Sequence, residues 1–108
     1  MRTGPAIDVV VLAGELDIAR KEELHRALVI GPAARGILLD LSDVTYADST
    51  ALTELLRFRR HAEQRTVPVA LVVAQAQFDR VIRYAGLYEV FEIFGSRNEA
   101  LAYLESAA

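Results

Sequence analysis

The chain has no cysteine. This excludes a disulfide framework and any thiolate metal site, and it fits a reducing compartment without requiring one. No apolar run approaches the roughly 20 residues that cross a bilayer. The N-terminus lacks the basic, apolar and small-residue layout of a signal peptide. Net charge is only −3 over 108 residues, which makes no electrostatic case for nucleic-acid binding. There is no P-loop, dinucleotide fingerprint or metal-spaced ligand set, no repeat of fixed period and no low-complexity segment. The two histidines, His25 and His61, fall in no acid-and-nucleophile pattern, so neither is given a catalytic role. These absences lead us to expect a soluble cytoplasmic protein without cofactor, membrane insertion or contact with nucleic acid.

What is present is apolar residue in quantity, 53% of the chain, enough for one hydrophobic core and one domain over residues 1–108. The stretch at 37–56, ILLDLSDVTYADSTALTELL, sets the organisation. Ile37, Leu38, Leu39 and Leu41, bounded by Gly36 and Ser42, suit a strand covered on both faces. A short polar connection follows. After Ala47 the period changes: Leu52, Leu55 and Leu56, with Ala51, Phe58 and Ala62, mark the buried stripe of a helix that runs to about Gln64. Asp48 is a good N-cap and Ser49 then sits in the first turn. A hydroxyl there faces unpaired backbone N–H groups at the positive end of the helix dipole, where a phosphate is well received.

The rest of the chain alternates in the same way. Residues 7–13 read as a strand, Gly14-Glu15-Leu16-Asp17 as a loop, and about 19–29 as a helix that Asp17 could cap and Gly31-Pro32 stops. Residues 67–73 read as a buried strand, with little ladder donation expected near its start because Pro68 has no N–H. Phe78, Val81, Ile82 and Ala85 mark a helix over about 76–85, closed by Gly86. A short strand at 90–94 and a capping box, Ser96-Arg97-Asn98-Glu99, lead into a last helix to about Ser106. Residues 1–6 are a lead-in, broken at Gly4-Pro5. The pattern β-α-β-α-β-α-β-α predicts an α/β fold: a mostly parallel or mixed sheet of four to five strands with about four helices. Functional groups in such sheets gather beyond the carboxyl ends of the strands. Asp17 and Asp48-Ser49 should therefore lie at one end, as neighbours.

Three motifs carry a family likeness. Gly14-Glu15-Leu16-Asp17, the core Asp40-Leu41-Ser42-Asp43-Val44-Thr45-Tyr46-Ala47-Asp48-Ser49-Thr50, and Gly86-Leu87 with Val90-Phe91, Ser96 and Glu99-Ala100-Leu101 resemble those of STAS domains, and among them the bacterial anti-sigma factor antagonists. The resemblance implies a partner that is both an anti-sigma factor and a GHKL-type serine kinase. The unphosphorylated antagonist binds that partner and frees a sigma factor; phosphorylation releases it and a phosphatase restores it. Carried onto this chain, the acceptor is Ser49, and Asp17, Asp48, Thr50 and Ala51 complete the partner surface. The family usually has glycine at the position of Ala51, whose methyl adds bulk where a partner approaches. Its first strand is reduced here to residues 1–3.

Each residue also has a plainer role. Asp48-Ser49-Thr50 is a normal helix start, Asp17 a second N-cap, and Thr50 a residue that caps or packs. Arg57, Arg59, Arg60, His61 and Arg65 read as a solvated helix face, or as a contact for an acidic partner. The alternative function is a non-catalytic STAS subunit of a transport or stress-signalling assembly, with Ser49 only a cap.

Overall fold

In the computed structural model, which describes residues 6–107, four parallel strands lie in the order β1-β2-β3-β4. Strand β1 is Ile7–Leu16, β2 Gly36–Ala47, β3 Val69–Val72 and β4 Glu92–Phe94. The connecting helices are α1 (Lys21–Ala27), α2 (Ser49–Gln64) and α3 (Ala76–Tyr84), and α4 (Arg97–Ala107) closes the chain. Single-strand steps in one direction put α1, α2 and α3 on one face, as crossovers of one hand must. There Leu12, Leu24, Leu39, Leu55, Phe58, Phe78 and Ile82 share the main core. Helix α4 has no following strand and folds onto the opposite face, where Ala100 and Leu104 meet Leu38, Ala70 and Val72. The expected alternation is thus present; the remnant strand at 1–3 lies outside the described residues.

Two expected loops are strand. Strand β1 continues through Gly14-Glu15-Leu16, and β2 continues through the supposed polar connection to Ala47. Strand β2 carries an extra residue against β1 twice: Val11 pairs with Asp40 but Ala13 with Asp43, and Gly14 with Val44 but Glu15 with Tyr46. Each bulge shifts the side-chain alternation by one. Inward positions therefore fall at Leu41, Val44 and Ala47, a spacing of three instead of two. Gly14 turns β1 with φ +79°, a conformation in which a side chain is strained. Arg20 holds that turn, its Nη1 donating to the carbonyls of Ala13 (2.6 Å) and Glu15 (3.0 Å).

Other boundaries shift by small amounts with clear causes. A 3-10 turn, Ile18–Arg20, precedes α1, which ends at Ala27, before the expected Gly31-Pro32 stop. Val90 and Phe91 close a 3-10 turn, so β4 begins at Glu92. The inward stripe of α2 is Ala51, Leu55, Phe58 and Ala62, with Glu54 beside it, whereas Leu56 is 40% exposed. Ala85 likewise lies outside the core. Pro68 precedes the ladder, and its carbonyl accepts from the Ile37 N–H at 3.0 Å. Gly86 is left-handed as a residue after a helix end should be. At the start of α4 the Glu99 N–H donates to Ser96 Oγ (3.3 Å), and the Ser96 hydroxyl donates to Glu99 Oε1 (3.0 Å).

Asp40 is the one buried carboxylate of the sheet among the described residues. It accepts from the Ser42 hydroxyl (2.5 Å) and N–H (3.0 Å), and from Arg97 Nη2 (2.5 Å) and Nε (3.0 Å) at the start of α4. Burial pushes its pKa up, but the hydrogen bonds from Ser42 and Arg97 outweigh burial and hold it below the ordinary value. A carboxyl whose folded pKa is depressed stabilises the fold above its unfolded pKa and loses that contribution as pH falls through the folded value. Asp40→Asn is therefore expected to cost about 2 kcal/mol at pH 7, since Arg97 is half-exposed and its pairing partly screened. The difference should begin to shrink as pH falls below about 4, the ordinary carboxylate value, and should close only at lower pH, once the depressed folded carboxyl is protonated as well. Chemical denaturation of both proteins across that range checks both the size and the sign.

Candidate functional site

The parallel pairing of Leu16 with Ala47 brings the ends of β1 and β2 together, so Asp17 and Asp48 emerge side by side. The Asp48 N–H donates to the Leu16 carbonyl at 3.0 Å. Its carboxylate is shared: Oδ1 accepts from the Ala51 N–H (3.0 Å) and caps α2, and Oδ2 accepts from the Ile18 N–H (3.0 Å) in the turn before α1. Asp17 repeats the device locally, Oδ1 accepting from the Ala19 N–H at 3.1 Å. Both aspartates are half-buried N-caps, and Asp48 also ties the β1–α1 turn to the head of α2.

Ser49 is the first residue of α2 and is exposed. Its carbonyl accepts from the Thr53 hydroxyl at 2.8 Å, while its own hydroxyl has no partner among the described residues. Thr50 is half-buried beside it, on a shallow hollow shared with Lys21 and Glu54. Ala51 is not at the surface. Its methyl is 1% exposed and lies in the main core, because the third helical position points back at the sheet. It therefore adds no bulk toward an approaching partner. The Ala51 N–H is the group that Asp48 caps.

On its other side Ser49 borders an open groove of about 500 Å³ between the head of α2 and α3. Tyr46, Leu52, Val81 and Tyr84 supply its apolar wall and Arg80 a cation. Tyr84 is 97% exposed, Ile18 69% and Tyr46 48%. Sequence reasoning did not select these residues. Tyr46 lies within the core motif, which assigned it no role; its exposure follows from the register shift on β2, and that of Tyr84 from the outward face of α3, which no motif marks. The basic cluster is not a simple solvated face either. Arg59 bonds the Val90 carbonyl and pairs with Glu63. Arg65 donates to the carbonyls of Ile30 and Gly31, both at 3.1 Å.

The arrangement offers an exposed hydroxyl, without a partner among the described residues, at a helix N-terminus beside Asp48 and an open groove. Among the described residues no group of three or more His, Asp or Glu side chains is placed to hold a metal ion, and no helix is long and apolar enough to cross a membrane.

This combination, an all-parallel four-stranded α/β domain with a capped helix start at the carboxyl end of its second strand, defines the class. A family model described as "Mlab, STAS domain" matches residues 2–93. The chain belongs to the STAS domain family. Solved structures share the fold. An anti-sigma factor antagonist from Mycobacterium paratuberculosis superposes with TM-score 0.83 at 23% identity, covering 95% of this chain and 89% of that one. A sulfate transporter family protein from Wolinella succinogenes gives 0.79 at 19%, covering 98% and 91%. The anti-sigma factor antagonist SpoIIAA in its unphosphorylated form gives 0.65 at 17%, covering 92% and 88%. No curated protein sequence matches the chain.

Proposed function

We propose that this domain is a non-catalytic anti-sigma factor antagonist of the cytoplasm. In its unphosphorylated form it binds an anti-sigma factor that is also a GHKL-type serine kinase, and so regulates sigma-factor-dependent transcription. Phosphorylation at Ser49 releases it, and a cognate serine phosphatase resets it. The observation that carries this reading is the Ser49 hydroxyl, exposed and unpartnered on a rigid helix start beside an apolar groove. A hydroxyl kept only to cap a helix would be spent on a backbone N–H, but here Asp48 already performs that task. The likeness to anti-sigma factor antagonists, one of them a protein solved in its unphosphorylated form, supports the same reading.

Docking over Ser49 would cover Tyr84, Tyr46 and Ile18. Aromatic residues in such positions commonly carry a large share of binding energy. Tyr84→Ala is expected to weaken the complex with the anti-sigma factor by about tenfold or more. Because Tyr84 is 97% exposed, its stability should stay within about 0.5 kcal/mol of the parent. Calorimetric titration of the complex, beside a thermal melt of the free domain, reads both.

A second reading draws on the likeness to the sulfate transporter family protein: a subunit of a transport or stress-signalling assembly in which Ser49 is only a helix start. Co-purification with a membrane ATPase, unchanged by Ser49→Ala and by phosphatase treatment, would favour it.

A further inference from the structure

A second cleft, of about 390 Å³, lies between α1 and the C-terminal half of α2, away from Ser49. Arg57, His61 and Gln64 of α2, at helical spacings of four and three, line it together with Arg65, the residue that ends that helix. His25 faces them from α1, and Leu28, Val29 and Ile30 form an apolar wall. A positively lined cleft is unexpected on a chain of net charge −3.

The cations are not equally occupied. Arg65 is committed to the carbonyls of Ile30, Gly31 and Pro32, and together with His61 it also suits the negative end of the α2 dipole. Arg57 lies two turns earlier, where that explanation does not reach. Its Nη2 donates to Glu54 Oε1 (2.7 Å) and to His25 Nδ1 (2.8 Å). Since Nδ1 accepts there, its 3.3 Å approach to Glu54 is not a second hydrogen bond, and Nε2 remains the free imidazole donor. Glu54 is the acid that offsets this cluster; it is buried, and Arg57 holds its carboxyl below the ordinary range. The Arg57 Nε is buried without a partner and out of a ligand's reach, whereas Nη1 makes no hydrogen bond among the described residues and is the donor left to the guanidinium. His61 is exposed with no partner among the described residues.

We propose that this cleft binds a small phosphate-bearing molecule, with Arg57, His61 and His25 meeting the phosphate and Leu28, Val29 and Ile30 meeting an apolar body. The cleft volume falls within the range of small-molecule sites, and guanidinium with imidazole donors suits a phosphate dianion. The site is independent of the Ser49 reading.

The test uses the full chain and two probes, inorganic phosphate and phenyl phosphate, titrated at constant ionic strength while the His25 and His61 ring signals are followed by NMR. The expected result is saturable binding of one equivalent that moves both rings, with phenyl phosphate the tighter probe. Arg57→Gln should weaken binding about tenfold or more and His61→Gln about fivefold. His61→Gln leaves the Glu54 pairing intact, so it keeps the test valid should Arg57→Gln fail to fold. Shifts that stay linear in phosphate, an affinity unchanged in His61→Gln, or perturbation centred on the first turn of α2 would each overturn the proposal.

Discussion

Once Ser49 carries a phosphate, the complex with the anti-sigma factor is expected to weaken by about a hundredfold or more. The modification adds roughly −1.5 to −2 charges at pH 7. In the free domain that charge is readily accommodated, because it sits at the N-terminus of the sixteen-residue α2, in water, where helix-end effects favour it by roughly 0.3–1 kcal/mol. In the complex the same charge must be stripped of water against an apolar groove, with the Asp48 carboxylate adjacent. Under the proposed function this asymmetry between the two states is the switch, and it needs no change of fold. Ser49→Ala should bind as tightly as the unmodified parent and resist the kinase. Its stability should stay within about 0.5 kcal/mol, since the hydroxyl lost has no partner among the described residues. A loss of several kcal/mol in Ser49→Ala would show the hydroxyl to be structural.

Removing the Asp48 carboxylate should do the reverse, damaging the fold first. Asp48→Ala loses the α2 cap on the Ala51 N–H and the tie to the Ile18 N–H together. A cap alone is worth about 0.5–2 kcal/mol, and a charge-assisted hydrogen bond about 1.5–3 kcal/mol. Allowing for partial exposure, the sum is about 3 kcal/mol. Asp48→Asn separates the two roles. Its amide oxygen can still cap Ala51, but its NH2 then opposes the Ile18 N–H, so about half of the loss should remain. Denaturant unfolding of the three proteins gives the ordering parent, Asn, Ala. Equal stability of the Asn and Ala variants would mean that the link to the β1–α1 turn, not the cap, dominates.

Much of this is legible in the sequence itself. The Asp48 cap, the neighbouring ends of β1 and β2, and the Gly86 helix stop each rest on local chemistry that the structure keeps. What escaped notice came from tertiary pairing. Apolar residues at Leu41, Val44 and Ala47 repeat every three, which fits neither a strand nor a helix until the two bulges against β1 are known. The segment therefore read as a connection. For the same reason Tyr46 went unselected although it stands beside Ser49. Ala51 was placed on the partner surface because it follows the motif in sequence, yet a turn of helix carries it into the core. Arg59 and Arg65 looked solvated because their acceptors are backbone carbonyls some thirty residues away, which no side-chain pattern announces.

The most direct measurement is intact mass with peptide mapping after incubation with ATP and the anti-sigma factor kinase encoded by the same genome, with complex formation followed in the same samples. The account predicts a single phosphate, located at Ser49, absent in Ser49→Ala, and a complex formed only by the unmodified protein. A tight complex with no phosphate, or one that persists after Ser49 is fully phosphorylated, would contradict it.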